Sequence, residues 1–158
     1  MNRKNNALKR KAIGVATCLK GHDHGQALVT FIYNTDNPLA FGMSFRYGEA
    51  ADPDNIRTLT MWFSRDYVAE WLQDAMLGTS LSLGETVLRI SKRYGYIMTF
   101  KFPPVVLSTG ESINPMIRLS REFVTKFLAD TYSVIPQASP AETVWVDSCI
   151  AELLKPKA

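Results

Sequence analysis

Residues 62–72, WFSRDYVAEWL, contain a change of period. Ahead of Ser64, Leu59, Met61 and Phe63 alternate with threonines and Trp62, the two-residue repeat of a strand with one packed face. Behind it, Tyr67, Val68, Trp71, Leu72, Ala75 and Met76 recur at helical spacing. Ser64 is placed to cap the helix through its side-chain oxygen, and Asp66 puts a negative charge in the first turn, where the helix dipole favours it. The stretch predicts a strand over Arg57–Phe63 that runs directly into a helix over Arg65–Met76.

Upstream, Leu39, Phe41, Met43, Phe45 and Tyr47 alternate with Ala40, Gly42, Ser44 and Arg46, a strand with one packed face. The segment YNTDNPLAF, residues 33–41, joins it to the preceding strand, Gln26–Tyr33. Asn34 to Pro38 supply turn residues that hydrogen-bond their own backbone or fix φ, so the segment reads as a hairpin junction. Gln26–Tyr33 is apolar at alternate and intervening positions, which predicts a strand covered on both faces. KGHDHGQ reads as a turn, and Ile13–Leu19 as the first strand.

Downstream the pattern recurs. Glu85–Ser91 and Tyr96–Phe102 alternate as strands, PPVVL and NPMIRL read as shorter extended pieces, and Ser120 caps a second helix. Phe123, Val124, Phe127, Leu128 and Thr131 form its apolar stripe, so four strands and a helix occur twice. The C-terminal segment has two helix starts: SPAE is a capping box with Pro140 in the first turn, and Asp147 caps a later helix carrying Ile150, Leu153 and Leu154.

The chain of 158 residues, 46% hydrophobic and 21% charged, has the composition of one ordinary globular domain. No apolar run reaches the length of a membrane span, and a cytoplasmic protein is expected. Cys18 and Cys149 lack the spacing of a zinc site or a disulfide framework. The formal charge of +3 is uneven: Arg3, Lys4, Lys9, Arg10 and Lys11 crowd the first eleven residues, Lys155 and Lys157 lie in the tail, and the body between is net acidic. Residues 1–12 are expected as a flexible basic arm, 13–154 as the folded domain and 155–158 as a tail.

Catalytic and metal motifs are not evident. His22, Asp23 and His24 have no distant third ligand and read as a solvated turn rather than a metal centre. Glu49, Asp52 and Asp54 are loop acids, and no GxGxxG, GxxxxGK[ST] or GxSxG occurs. A non-enzymatic protein without a cofactor is expected. Trp71, Leu72 and Met76 read first as core, because the helix must bury one face. The set Tyr67, Val68, Trp71, Leu72, Ala75 and Met76 nevertheless spans a wide arc, so some of that surface, with Tyr67, Trp71, Leu72 and Met76 as the contact candidates, is expected to meet another subunit or partner.

In order and spacing, five pieces resemble the SsgA/SsgB-like sporulation and cell-division proteins of actinobacteria. They are the Tyr33–Phe45 junction, WFSRDYVAEWL, the Gly84–Glu85 step, FVTKFLADTYSVIP and VWVDSCIAELL. Asn34 stands where that family has Asp, and Trp71 where it has a small residue. The resemblance favours the later C-terminal helix start. It implies an α+β, Whirly-like domain of two ββββα units, antiparallel sheets packed against helices, and a C-terminal helix. It also implies a homotrimer that marks the septum, helps recruit FtsZ and pairs with SsgA-like paralogues. The alternative function is single-stranded nucleic-acid binding through the basic arm.

Overall fold

The computed structural model describes residues 7–18, 23–47, 57–106, 110 and 112–136. Strands β1 (Ala7–Cys18), β2 (Asp23–Asn34), β3 (Ala40–Tyr47) and β4 (Arg57–Ser64) form an antiparallel meander that enters helix α1 (Arg65–Asp74). A second meander follows, β5 (Ser80–Leu83), β6 (Thr86–Ile90) and β7 (Ile97–Lys101). A small ribbon of β8 (Val105–Val106) and β9 (Ser112–Ile113) then leads to β10 (Met116–Ser120) and helix α2 (Arg121–Val134). The fold is α+β, mostly antiparallel sheet with two helices.

The eight main strands form one sheet, ordered β4-β3-β2-β1-β10-β7-β6-β5. Separate sheets were the expectation; instead β1 pairs with β10 and joins the meanders. Gly14 permits that approach, because a Cβ there would lie 2.9 Å from Leu119 and 3.0 Å from the Arg118 carbonyl oxygen.

The sheet is strongly curled. Five strand spacings separate β4 from β7, about 24 Å if the sheet were flat. The rings of Phe63 on β4 and Phe100 on β7 nevertheless lie 5.9 Å apart. All eight phenylalanines of the chain join one ring network, with Phe31 touching Phe41, Phe100, Phe123 and Phe127 at 5.2–6.2 Å. Edge-to-face and tilted ring pairs add to the burial of large apolar area, and together they hold the curl closed.

The helices lie on the concave side and begin alike. Ser64 and Ser120 accept hydrogen bonds from the amides of Tyr67 and Phe123, so both act as N-caps. The next residue in each case is arginine, and each arginine reaches the far end of the other helix. Arg121 donates to the Leu72 and Ala75 carbonyls at the end of α1, both at 3.0 Å. Arg65 donates to Thr131, Ile135 and Pro136 carbonyls at the end of α2, at 3.3, 2.7 and 3.2 Å. Neither helix carries a basic residue in its own last turn, so each receives its positive C-terminal charge from its neighbour. The helices are therefore antiparallel.

Arg65 is fully buried and also anchors the 33–41 junction. Its guanidinium donates to the Tyr33 hydroxyl at 3.0 Å, Tyr33 donates to the Pro38 carbonyl at 3.0 Å, and the Arg65 amide donates to the Leu39 carbonyl at 3.0 Å. Asn34 Oδ1 accepts from the Asp36 amide at 3.0 Å, a bond that aspartate makes equally well. Tyr132 lies over the guanidinium at 4.1 Å and donates its hydroxyl proton to Asp66, whose carboxylate is 3.6 Å from Arg65 Nε. Burial, then the bond to Asp66, pushes the Tyr132 hydroxyl well above its ordinary pKa; burial also raises Tyr33.

Several boundaries differ from the sequence reading. Strand β1 begins at Ala7, not Ile13, because backbone pairing with β2 continues through Lys9↔Ile32 and Lys11↔Thr30. Strand β2 begins at Asp23, inside the expected turn. It is covered on one face only: Leu28 is 57% exposed, whereas Val29, Phe31 and Tyr33 are buried. Ser80–Leu83 forms the edge strand β5, and α1 ends at Asp74 rather than at Met76. Both C-terminal helix starts lie outside the described residues.

Replacing Arg65 by methionine strands Asp66 and three carbonyls, and urea denaturation is expected to show a loss of about 3–5 kcal/mol. Arg65→Lys recovers only part of it, because one ammonium does not span the positions that a guanidinium fork reaches. Buried Tyr33 and partly buried Tyr132 set a pH limit. An unfolded tyrosine loses its proton near pH 10, while Tyr33 and Tyr132 keep theirs in the fold, so the unfolded state binds fewer protons above about pH 10. Their contribution is complete below that pH and is lost as pH rises through the folded values. Melting temperature is expected to fall above about pH 10, and less steeply in Tyr132→Phe.

Candidate partner-binding surface

Among the described residues there is no cluster of three or more metal-ligating side chains. His22, Glu49, Asp52 and Asp54 lie outside them, and Asp23 and His24 contribute described backbone to β2. The concave side offers a shallow cleft of about 220 Å³ between the helices, floored by Leu72 and Leu128 and edged by Tyr132. Its walls are apolar, with no convergent acid, base and nucleophile.

The four helix positions expected at a contact divide. Leu72 is 6% exposed and belongs to the core, and Ala75 is buried beside it. Tyr67 is half exposed, and Met76, just past the helix end, is 75% exposed. Trp71 is partly buried: its ring packs on the core, while its indole Nε1 is buried without a hydrogen-bond partner. It faces a wide depression of about 450 Å³ lined by Tyr67, Glu70, Asp74, Thr79 and Leu81. The depression reaches edge strand β5 at Leu81, and no described strand covers the outer backbone edge of β5.

Met76 has neighbours that sequence reading missed. Leu77 is exposed beside it and contacts the turn between β6 and β7, since a Cβ on Gly95 would lie 3.0 Å from Leu77 Cδ2. That turn carries Tyr94 and Tyr96, both exposed, with ring centroids 5.5 Å apart. The Ser91 hydroxyl accepts from the amides of Arg93 and Tyr94 and shapes the turn, and Arg121 reaches Gly95. A patch of Met76, Leu77, Tyr94 and Tyr96 thus forms where the end of α1 meets the β6–β7 turn. Exposed apolar residues grouped in this way mark contact surfaces. The "RYGY" run, residues 93–96, was a signal for it, being aromatic where a turn is normally polar.

The basic arm is also redistributed. Lys9, Arg10 and Lys11 belong to β1 rather than to a free segment, and Arg10 forms an ion pair with Asp130 on α2 at 3.7 Å. Arg3 and Lys4 lie outside the described residues. Among those residues, no helix is long and apolar enough to cross a membrane.

The sequence matches no family profile and no curated protein. Solved structures do match. An SsgA-like sporulation-specific cell division protein from Thermobifida fusca superposes with a TM-score of 0.63 at 14% identity, covering 98% of this chain and 100% of that one. SsgB, from a study of longitudinal cell division during sporulation of Streptomyces coelicolor, superposes with a TM-score of 0.60 at 16% identity, covering 86% and 92%. At such identities backbone likeness speaks to fold, and function has to be argued from surfaces. The chain has the fold of the SsgA/SsgB-like cell-division proteins, the family that its sequence motifs resemble.

Proposed function

We propose that this protein is a non-enzymatic adaptor in cell division or sporulation, working as a homo-oligomer in the cytoplasm at the division septum. The observation that carries the reading is near-complete coverage of a sporulation-specific cell division protein by one continuous fold. That eight sheet strands and two helices alternate as four and one, twice over, supports the Whirly-like description. In this reading the chain marks or organises the septum site, with FtsZ, another division protein or an SsgA-like paralogue as partner. The resemblance points to a trimer.

The surface best suited to these contacts comprises the depression at Tyr67 and Trp71 and the patch at Met76, Leu77, Tyr94 and Tyr96. The first offers a half-exposed tyrosine, two carboxylates and, beside it, a strand edge that no described strand covers, and the second offers exposed apolar area. Glu70 and Asp74 rim the depression, which favours a partner segment with positive charge.

Light scattering at micromolar concentration should show a closed assembly; a monomer throughout that range would remove the oligomer. A fluorescent fusion in a sporulating actinobacterial host should give septal foci or ladders, and diffuse signal would count against the adaptor. Two substitutions separate packing from contact. Trp71→Ala is expected to lower stability by about 3 kcal/mol, read by denaturant melting, because it removes a ring that packs on the core. Met76→Asp with Leu77→Asp should leave the melting temperature nearly unchanged while reducing assembly or septal localisation.

A further inference from the structure

The six remaining cations of the described sheet strands whose side chains are placed share one face. Lys9 and Lys11 on β1, Arg46 on β3, Arg89 on β6, Lys101 on β7 and Arg118 on β10 are all exposed at positions that alternate with the buried core residues. Among the described residues, the outward strand positions hold no aspartate or glutamate, and none of these six forms an ion pair. Arg10, at an inward position, instead pairs with Asp130. The helix side is where the acids gather, with Asp66, Glu70, Asp74, Glu122 and Asp130.

Charge is interleaved with hydroxyls, with one aromatic ring and, on β1 and β2, with the exposed aliphatic side chains of Ile13, Val15 and Leu28. A transverse row runs Val15, Arg118, Thr99, Arg89, Ser80 across five strands. Arg118 and Arg89 flank Thr99 about 5 Å away on either side, and Lys101 stands about 7 Å further along β7. On the other half, Trp62 pairs with Gly42, and a Cβ there would lie 3.0–3.2 Å from three atoms of the indole ring. The glycine lets the ring lie against the sheet with its other side open, at 51% exposure.

We propose that this outer face binds single-stranded nucleic acid, the phosphates held by the six cations and a base stacked on Trp62. The inference does not rest on the division reading, and either stands without the other. Three features select this occupant. A protein interface is depleted in lysine at its centre, whereas three of the six cations here are lysines. A membrane is planar and meets only the crest of a sheet curled enough to bring β4 against β7, whereas a flexible strand follows the curve. An unpaired strand also presents bases to an open ring, which a duplex does not.

The test is fluorescence anisotropy of the full chain with a labelled oligothymidylate, titrated between about 50 and 200 mM salt. Log affinity should fall against log salt with a slope of about −4, six phosphates at roughly 0.7 each, and with a slope of about −2 for Arg89→Gln, Lys101→Gln, Arg118→Gln combined. Trp62→Ala should weaken binding roughly tenfold or more, with circular dichroism unchanged. Absence of binding at the lowest salt overturns the proposal, as does a triple variant that binds like the parent. So does tighter binding to duplex DNA, or to phosphatidylglycerol vesicles, than to the single strand. Loss of self-assembly in the triple variant would reassign the face to a second copy and equally overturn it.

Discussion

A guanidinium sealed inside the protein, that of Arg65, sets the arrangement of nearly everything around it. Burying such a charge costs many kilocalories per mole unless it is met, and here it is met from three directions at once, with Nε left without a hydrogen bond and only the Asp66 charge 3.6 Å away. The end of α2 supplies carbonyls, the 33–41 junction supplies the Tyr33 hydroxyl, and Tyr132 and Asp66 supply a ring face and a counter-charge. The partners come from β2, from the last turn of α2 and from α1 itself, so shifting any of the three leaves part of the charge in a medium that does not solvate it. Arg121 repeats the device at the other end of the helix pair with partly buried geometry. The two clasps fix the helices antiparallel and hold them over the concave sheet.

Curling the sheet around eight phenylalanines gives the molecule two sides of different chemistry. Inside, rings from strands far apart in sheet order meet. Outside, the strands present cations and hydroxyls around exposed Ile13, Val15, Leu28 and Trp62, while the helix side presents carboxylates. The small formal charge of +3 conceals this separation, because opposite charges on opposite sides cancel in the sum without cancelling in space.

The apolar patch at the end of α1 sits at the boundary between those sides. Its residues come from two connections, the turn after α1 and the turn between β6 and β7, and Arg121 ties both to the start of α2. Exposed side chains on connections held by the partly buried Arg121 keep a fixed position although they sit on turns. The backbone is similar to those of sporulation and division proteins at 14–16% identity, so a shared frame does not by itself carry over a shared surface.

Local patterns were sufficient for the elements themselves. Alternation at Leu59, Met61 and Phe63, the caps at Ser64 and Ser120, and the apolar stripe through Val124, Phe127 and Leu128 each depend on neighbours within a few residues, and each appears where the sequence placed it. The helix starts also share a longer pattern, serine, arginine, acid, aromatic, valine, then aromatic-leucine at 71–72 and 127–128, which foreshadows the paired clasp. What no local pattern contains is the partner. That β1 extends back to Ala7 follows from the length of β2, that Leu28 is exposed follows from helices packing on one side of the sheet, and that Lys9 and Lys11 join Arg89, Lys101 and Arg118 follows from β1 pairing with β10. Those pairings bring together residues about a hundred positions apart, and a side chain's surroundings there depend on strand order and curl, which only long-range packing decides.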